Sequence, residues 1–211
     1  MPKSYVVIDK RVGKLAHGDP TPKTVTCPGL PGKPFFTDEK TDAGAVFDDL
    51  LKDLGGDRIQ LLTLLAHGYY DASTSMEGLG IQFGKDDIGI GNVGRLFGRF
   101  RGRFQSKAHG IELIGCSVAG AEVFSPAQQR RVCIAGGIAL CQFIADTAGT
   151  AVRASPDVQD LAQRVKASRL GHKYVDGRMV PDEAATDVEV DPGPWEGRVW
   201  NFYPGKPDWN R

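Results

Sequence analysis

The sequence predicts an α/β sandwich built on a mostly parallel central sheet, and three observations carry that prediction. Short apolar runs recur along the chain, among them "SYVVID", "IQLLTLLA", "IELIG" and "TAVRAS". The middle two are rich in Ile and Leu without polar alternation, the pattern of strands buried on both faces of a parallel sheet. Segments of helical periodicity separate the runs, giving the order strand, helix, strand, helix, strand, helix, strand. Finally, "IQLLTLLAHG" closes on His67-Gly68 and "IELIGC" closes on Gly115-Cys116. In open α/β sheets functional groups collect just beyond the carboxyl ends of the strands.

Taken in order, "SYVVID" (4–9) reads as the first strand, and residues 10–40 read as a long irregular surface excursion rich in turn residues. "TDAGAVFDDLLKDLGG" is an amphipathic helix with Thr41 or Asp42 as N-cap and Gly55-Gly56 as its stop. The strand ending at His67 follows, then a polar loop over 69–80. "NVGRLFGRFRGRF" is the next helix, with Val93, Leu96, Phe97, Phe100 and Phe104 on one face and Arg95, Arg99 and Arg103 on another. Its three glycines cost roughly 1 kcal/mol each relative to Ala, so it needs tertiary support. After the strand ending at Cys116, "SPAQQRRVCIAGGIALCQFIADTAG" predicts one long helix, capped by Ser125, Pro126 and Gln128 and stopped by Gly149. "TAVRAS" (150–155) is a strand, Asp157 to about Ser168 a short helix, "HKYVDGRMV" a hairpin with the Asp-Gly turn, and "GRVWNFY" the last strand.

A chain of 211 residues, 41% hydrophobic and 25% charged, is long enough for one sizeable core. It is expected to form a single domain over 1–211, with a hairpin and strand region at 170–211. Zero formal net charge means that no global field recruits nucleic acid or a membrane surface. No charged-then-apolar leader opens "MPKSYVVID", and no apolar run approaches spanning length. A soluble cytoplasmic protein with reduced thiols is expected, the alternative being export by a machine that reads no such leader.

Neighbouring strands lie about 5 Å apart, so two adjacent strand ends bring an imidazole and a thiol to one substrate bond. A thiolate attacks an amide carbonyl, and the imidazole activates the thiol and later protonates the leaving amine. The oxyanion needs fixed N–H donors, for which Gly68 and Cys116 are the candidates. His17 sits in the irregular segment, and His109 precedes its strand, so neither competes with His67. Cys133 and Cys141 fall within the expected helix as core residues, and Cys27 in "TCPGLPG" is a loop thiol. No paired Cys/His spacing suggests zinc.

At "LLTLLAHG" and "IELIGCS" the chain resembles the clan CD cysteine peptidases: caspases, metacaspases, gingipains, legumains, separases and the self-cleaving domains of large bacterial toxins. The His-to-Cys separation is close to the roughly 50 residues found in caspases, although the extended caspase signature around the Cys is absent. From Gly115 onward, "GCSVAG…FIADTAGTAVRASPDVQD" is most similar to toxin self-cleaving domains and to a caspase-like domain of large bacterial adhesins. The resemblance implies a caspase-like three-layer sandwich with helices flanking the sheet. It implies a cysteine endopeptidase acting on protein or peptide, with self-processing or cleavage of a bacterial effector or partner protein as its use. His67 becomes the general base and acid, Cys116 the nucleophile, Gly68 an oxyanion donor, and Arg153, Ala154, Ser155 and Asp157 line the specificity pocket. Ile114 stands where metacaspases and legumains carry an acid, so any charge for a basic substrate residue falls to Asp157. The chemistry requires no cofactor. The acid-free stretch bearing Arg95, Arg99 and Arg103 reads either as a solvated face or as an anion site, with an inositol phosphate as the ligand the toxin relatives use. A catalytically silent, protein-binding module of the same fold is the alternative reading.

Overall fold

The computed structural model describes residues 1–14, 21–68, 80–116, 118–120, 122–125, 130–133, 136–157, 159, 162–165, 172–175, 177–181 and 187–206. In chain order these form β1 (Lys3–Asp9), β2 (Thr24–Thr26), β3 (Lys33–Thr37), α1 (Ala43–Leu54), β4 (Ile59–Leu65), β5 (His67–Gly68) and β6 (Ile81–Gln82). Then follow α2 (Val93–Phe97), β7 (Ile111–Ile114), β8 (Glu122–Ser125), β9 (Arg130–Cys133), α3 (Gly136–Ala148) and β10 (Val152–Ala154). The chain ends with β11 (Ala162–Val165), β12 (His172–Val175), β13 (Arg178–Pro181), β14 (Asp187–Asp191) and β15 (Trp200–Phe202).

A six-stranded sheet in the order β15-β10-β7-β4-β1-β3 organises the molecule. Its strands run parallel except β15, which pairs antiparallel with β10. This is the mostly parallel α/β sheet that the unalternated Ile/Leu runs predict. Tyr5, Val7, Leu62, Leu64, Leu113, Val152 and Ala154 point from one face into the core shared with α1, α2 and α3. Val6, Ile8, Leu65 and Ile114 point from the other face, where Val25 of β2 and Val188 and Val190 of β14 cover them. Among the described residues the helices therefore occupy one face, and a second sheet, ordered β11-β14-β2, covers the other.

Local chemistry explains the elements that frame the site. Asp42 caps α1 by accepting from the Ala45 N–H at 3.0 Å, and Gly55 ends the helix at φ 60°. The five apolar residues assigned to the α2 face are all buried, and Phe47, Phe83, Phe97, Phe100 and Phe104 form a chain of ring contacts 5.1–6.4 Å apart. Burying such a ring contributes about 1.5–3 kcal/mol, which offsets the glycines. Even so, the α-helix stops at Phe97 and tightens into a 3-10 turn over Gly98–Phe100.

Four expectations are corrected. The 10–40 segment supplies the edge strand β3 and the covering strand β2 rather than an excursion without strands. Pro34 is tolerated because β3 has a partner on only one side among the described residues. The long helix expected from Ser125 begins only at Gly136, and β8 and β9 form an antiparallel hairpin before it. Placing Gly136-Gly137 at the helix start keeps both glycines out of its interior, where each is costly. Cys133 accordingly lies in β9 and not in a helix. In the expected 157–168 helix, residues 162–165 are instead strand β11, paired antiparallel with β14. The expected hairpin is present as β12 paired antiparallel with β13, with Val175 opposite Arg178 and Gly177 at φ 76°, while residue 176 lies outside the described residues.

Candidate functional site

The site is built where β4 and β7 end side by side. Leu65 lies opposite Ile114 in parallel register, and the Ala66 N–H continues the ladder by donating to the Ile114 carbonyl at 3.1 Å. Beyond that point the backbones close on each other. A Cβ on Gly68 would fall 1.8 Å from the Cys116 carbonyl oxygen and 3.4 Å from the Cys116 nitrogen. A Cβ on Gly115 would fall 2.3 Å from the Ala66 carbonyl oxygen and 3.3 Å from the Gly68 nitrogen. Both positions therefore require glycine, and the N–H groups of Gly68 and Cys116 are brought into one neighbourhood.

His67 and Cys116 are each partly exposed at these strand ends. The His67 Nε2 lies 3.0 Å from the Arg11 carbonyl oxygen. A carbonyl only accepts, so the contact is a hydrogen bond in the forms of the ring that carry a proton on Nε2; in the neutral Nε2–H form the lone pair is on Nδ1. His67 and Gly68 also form β5, paired with Gln82 and Ile81 of β6. The Cys116 thiol donates to the Gln159 carbonyl at 3.2 Å. Each of the two side chains thus bonds to a backbone carbonyl rather than to the other side chain.

The residues beyond β10 form the wall nearest the thiol. Ser155 is buried; its carbonyl accepts from the Ala119 N–H at 3.0 Å, and its hydroxyl donates to the Arg198 carbonyl at 2.9 Å. Gln159 donates through Nε2 to Ser155 Oγ at 3.0 Å and to the Glu196 carbonyl at 2.8 Å, and its Oε1 accepts from the Glu196 N–H at 3.1 Å. Asp157 accepts from the Arg198 N–H at 2.7 Å and pairs with its guanidinium at 2.8 Å. That hydrogen-bonded pairing holds the Asp157 carboxyl below its ordinary range. Asp157 therefore carries a matched rather than an open charge. Arg153 stacks on Trp195 at 5.4 Å from the ring centroid and pairs with Glu112, and Ala154 is fully buried in the core. Of the four expected pocket residues, Ser155 and Asp157 join the segment that reaches the thiol.

The arginine row has partners of its own. Arg95 faces Asp86 at 3.5 Å, and Arg99 pairs with Asp48 and donates to the Gly44 carbonyl, while Arg103 is exposed. His109 is an exposed partner of Glu112, and residue 17 lies outside the described residues. Burial raises the Cys141 thiol far above its ordinary range, and burial together with Asp191 pushes Cys27 up to about 11. Among the described residues no group of three or more His, Cys, Asp and Glu stands together as a metal site, and no helix is long and apolar enough to cross a membrane.

Sequence reasoning overlooked Arg11, Asp9 and Gln159. Asp9 was findable, because "SYVVID" is a third apolar run that closes on a reactive residue beside β4. Arg11 and Gln159 meet His67 and Cys116 through backbone carbonyls, which carry no side-chain signature. Comparison with protein-family models, with curated proteins and with solved structures returns no match for this chain.

Proposed function

We propose that this chain is a cysteine endopeptidase of the caspase-like class, working through Cys116 and His67. The observation that carries the reading is the backbone contact of Gly68 with Cys116 at two adjacent parallel strand ends. It supports a shared oxyanion site for the two N–H groups, next to a thiol and an imidazole with a free Nδ1 lone pair. In the proposed reaction His67 takes the Cys116 proton, and the sulfur bonds to the substrate carbonyl carbon. The carbonyl electron pair moves onto oxygen and is held by the N–H groups of Gly68 and Cys116. Collapse breaks the C–N bond, the imidazolium returns its proton to the amine, and an acyl-thioester remains. Water, deprotonated by His67, attacks the thioester, and the acid leaves as the thiol re-forms.

No metal or organic group enters these steps. Anion activation is not part of the proposal, since Asp86 and Asp48 already answer Arg95 and Arg99. The substrate is an extended polypeptide, a segment of the chain's own protein or of a partner protein, met in a reducing compartment such as the cytoplasm. The second reading, a silent protein-binding module, draws on the Gln159 carbonyl that occupies the thiol.

Incubation of the purified protein with a peptide-library substrate, with and without iodoacetamide, tests the reading. Cleavage that stops in step with alkylation of Cys116, ahead of Cys27 and Cys141, is the expected result. No cleavage across the library, with Cys116 intact and the protein folded, favours the silent module.

A further inference from the structure

Asp9 is fully buried at the end of β1, and four N–H donors converge on it. They are the Arg11 backbone N–H at 3.0 Å, Arg11 Nε at 2.8 Å, Arg11 Nη2 at 2.7 Å and the Gly84 N–H at 2.9 Å. Arg11 Nη2 also donates to the Gly84 carbonyl at 2.9 Å and reaches Asp87 Oδ1 at 3.4 Å. Asp87 Oδ1 accepts from the Phe83 N–H at 3.0 Å. One ionic cluster thus ties the turn after β1 to the turn after β6.

Both turns touch His67. The Arg11 carbonyl accepts from the Lys14 N–H and from His67 Nε2, each at 3.0 Å. Gln82, one residue before the anchored Phe83–Asp87 turn, pairs with His67 along the backbone. A buried ion pair is a poor choice where stability alone matters, because desolvation offsets most of the Coulomb gain. What a forked guanidinium–carboxylate pair supplies is direction. Here the fork fixes the orientation of Arg11's own carbonyl.

The geometry points to Asp9 and Arg11, steadied by Asp87, as positioning residues for His67. They keep the Arg11 carbonyl on Nε2–H, so the imidazole holds one tautomer and one orientation with Nδ1 as its basic nitrogen. The catalytic consequence rests on the peptidase reading above; the tautomer itself does not.

The experiment reads the His67 tautomer by two-bond proton–nitrogen correlation in ¹⁵N-labelled protein, alongside peptide hydrolysis. The wild type is expected as the Nε2–H tautomer. Arg11→Lys keeps the charge and loses the fork, and it is expected to give a mixture of tautomers. Its kcat is expected to fall roughly 10- to 100-fold, the scale of a misplaced catalytic group, with KM changed by less than about twofold. Asp9→Asn, checked for a cooperative melt, should behave in the same way. An Nδ1–H wild type, or a folded Arg11→Lys with the wild-type tautomer, overturns the assignment. If both variants fail to fold, the cluster is a stability element and the assignment is equally overturned. A wild type without hydrolysis sinks the peptidase reading alone, and the tautomers still decide the positioning role.

Discussion

On the His67 side of the site a buried ion pair sets the geometry: Asp9 is 0% exposed and the Arg11 side chain 12%. On the Cys116 side a similar fork, Asp157 with Arg198, stands largely in solvent, with side chains 32% and 68% exposed. A backbone carbonyl lies on each reactive side chain: that of Arg11, which itself forms the first fork, and that of Gln159, whose side chain shares Ser155 Oγ with the Asp157 N–H. The energetics of the two forks differ. Taking one partner from a buried pair leaves an uncompensated charge, whereas solvent and salt screen an exposed pair. The histidine side therefore carries the more strongly held ion pair, and on the thiol side the buried Ser155 and Gln159 hydrogen bonds, not the exposed fork, hold the wall.

That contrast can be broken by mutation. Asp9→Ala is expected to cost about 3–5 kcal/mol of folding stability, because largely buried Arg11 loses its forked partner and keeps only the longer ion pair with Asp87; urea denaturation measures it, and a loss below about 1 kcal/mol would place the pair in solvent. Gly68→Ala comes next, at about 1–3 kcal/mol from overpacking. The clashing neighbour is Cys116 backbone, which cannot turn aside like a side chain. A fully stable and active Gly68→Ala protein contradicts the close approach on which the proposed oxyanion site depends.

Asp157→Asn is the smallest effect, within about 1 kcal/mol and fading with added salt. Its pH dependence has a definite sign. Arg198 depresses the Asp157 pKa in the folded state. The contribution is therefore present above the unfolded carboxyl value, about 3.9, and disappears as pH falls through the lower folded value. Urea midpoints for wild type and Asp157→Asn should converge below about pH 4 and separate above it. A difference that persists unchanged into strong acid means that another group carries the effect.

The centre of the sheet was legible because β4 and β7 carry Ile/Leu runs without polar alternation, whereas the edge strand β3, KPFFT, carries none. The α1 boundaries were legible from Asp42 and Gly55, whose side-chain cap and positive φ are local properties. The misreadings came where local signals compete with pairing partners far away in sequence. Ser125, Pro126 and Gln128 satisfy a helix-start pattern, yet Ser125 is the end of β8, opposite Arg130. Residues 162–165 pair with β14, whose sequence lies beyond them and whose Val188 and Val190 cover the second face. His67-Gly68 and Gly115-Cys116 stood out because glycine beside a reactive residue at a strand end is a local feature. The Arg11 carbonyl did not, because any residue offers a carbonyl and only the fold aims it.

Whether His67 and Cys116 act as one unit on a peptide bond is decided by a double-mutant cycle on hydrolysis. Turnover of a cleaved library peptide is measured for wild type, Cys116→Ala, His67→Ala and the double variant, each verified as folded. Each single change is expected to lower kcat by on the order of 10⁵- to 10⁶-fold, and the double variant to be no slower than the slower single one. Additive losses, or undiminished hydrolysis by either single variant, would contradict the account.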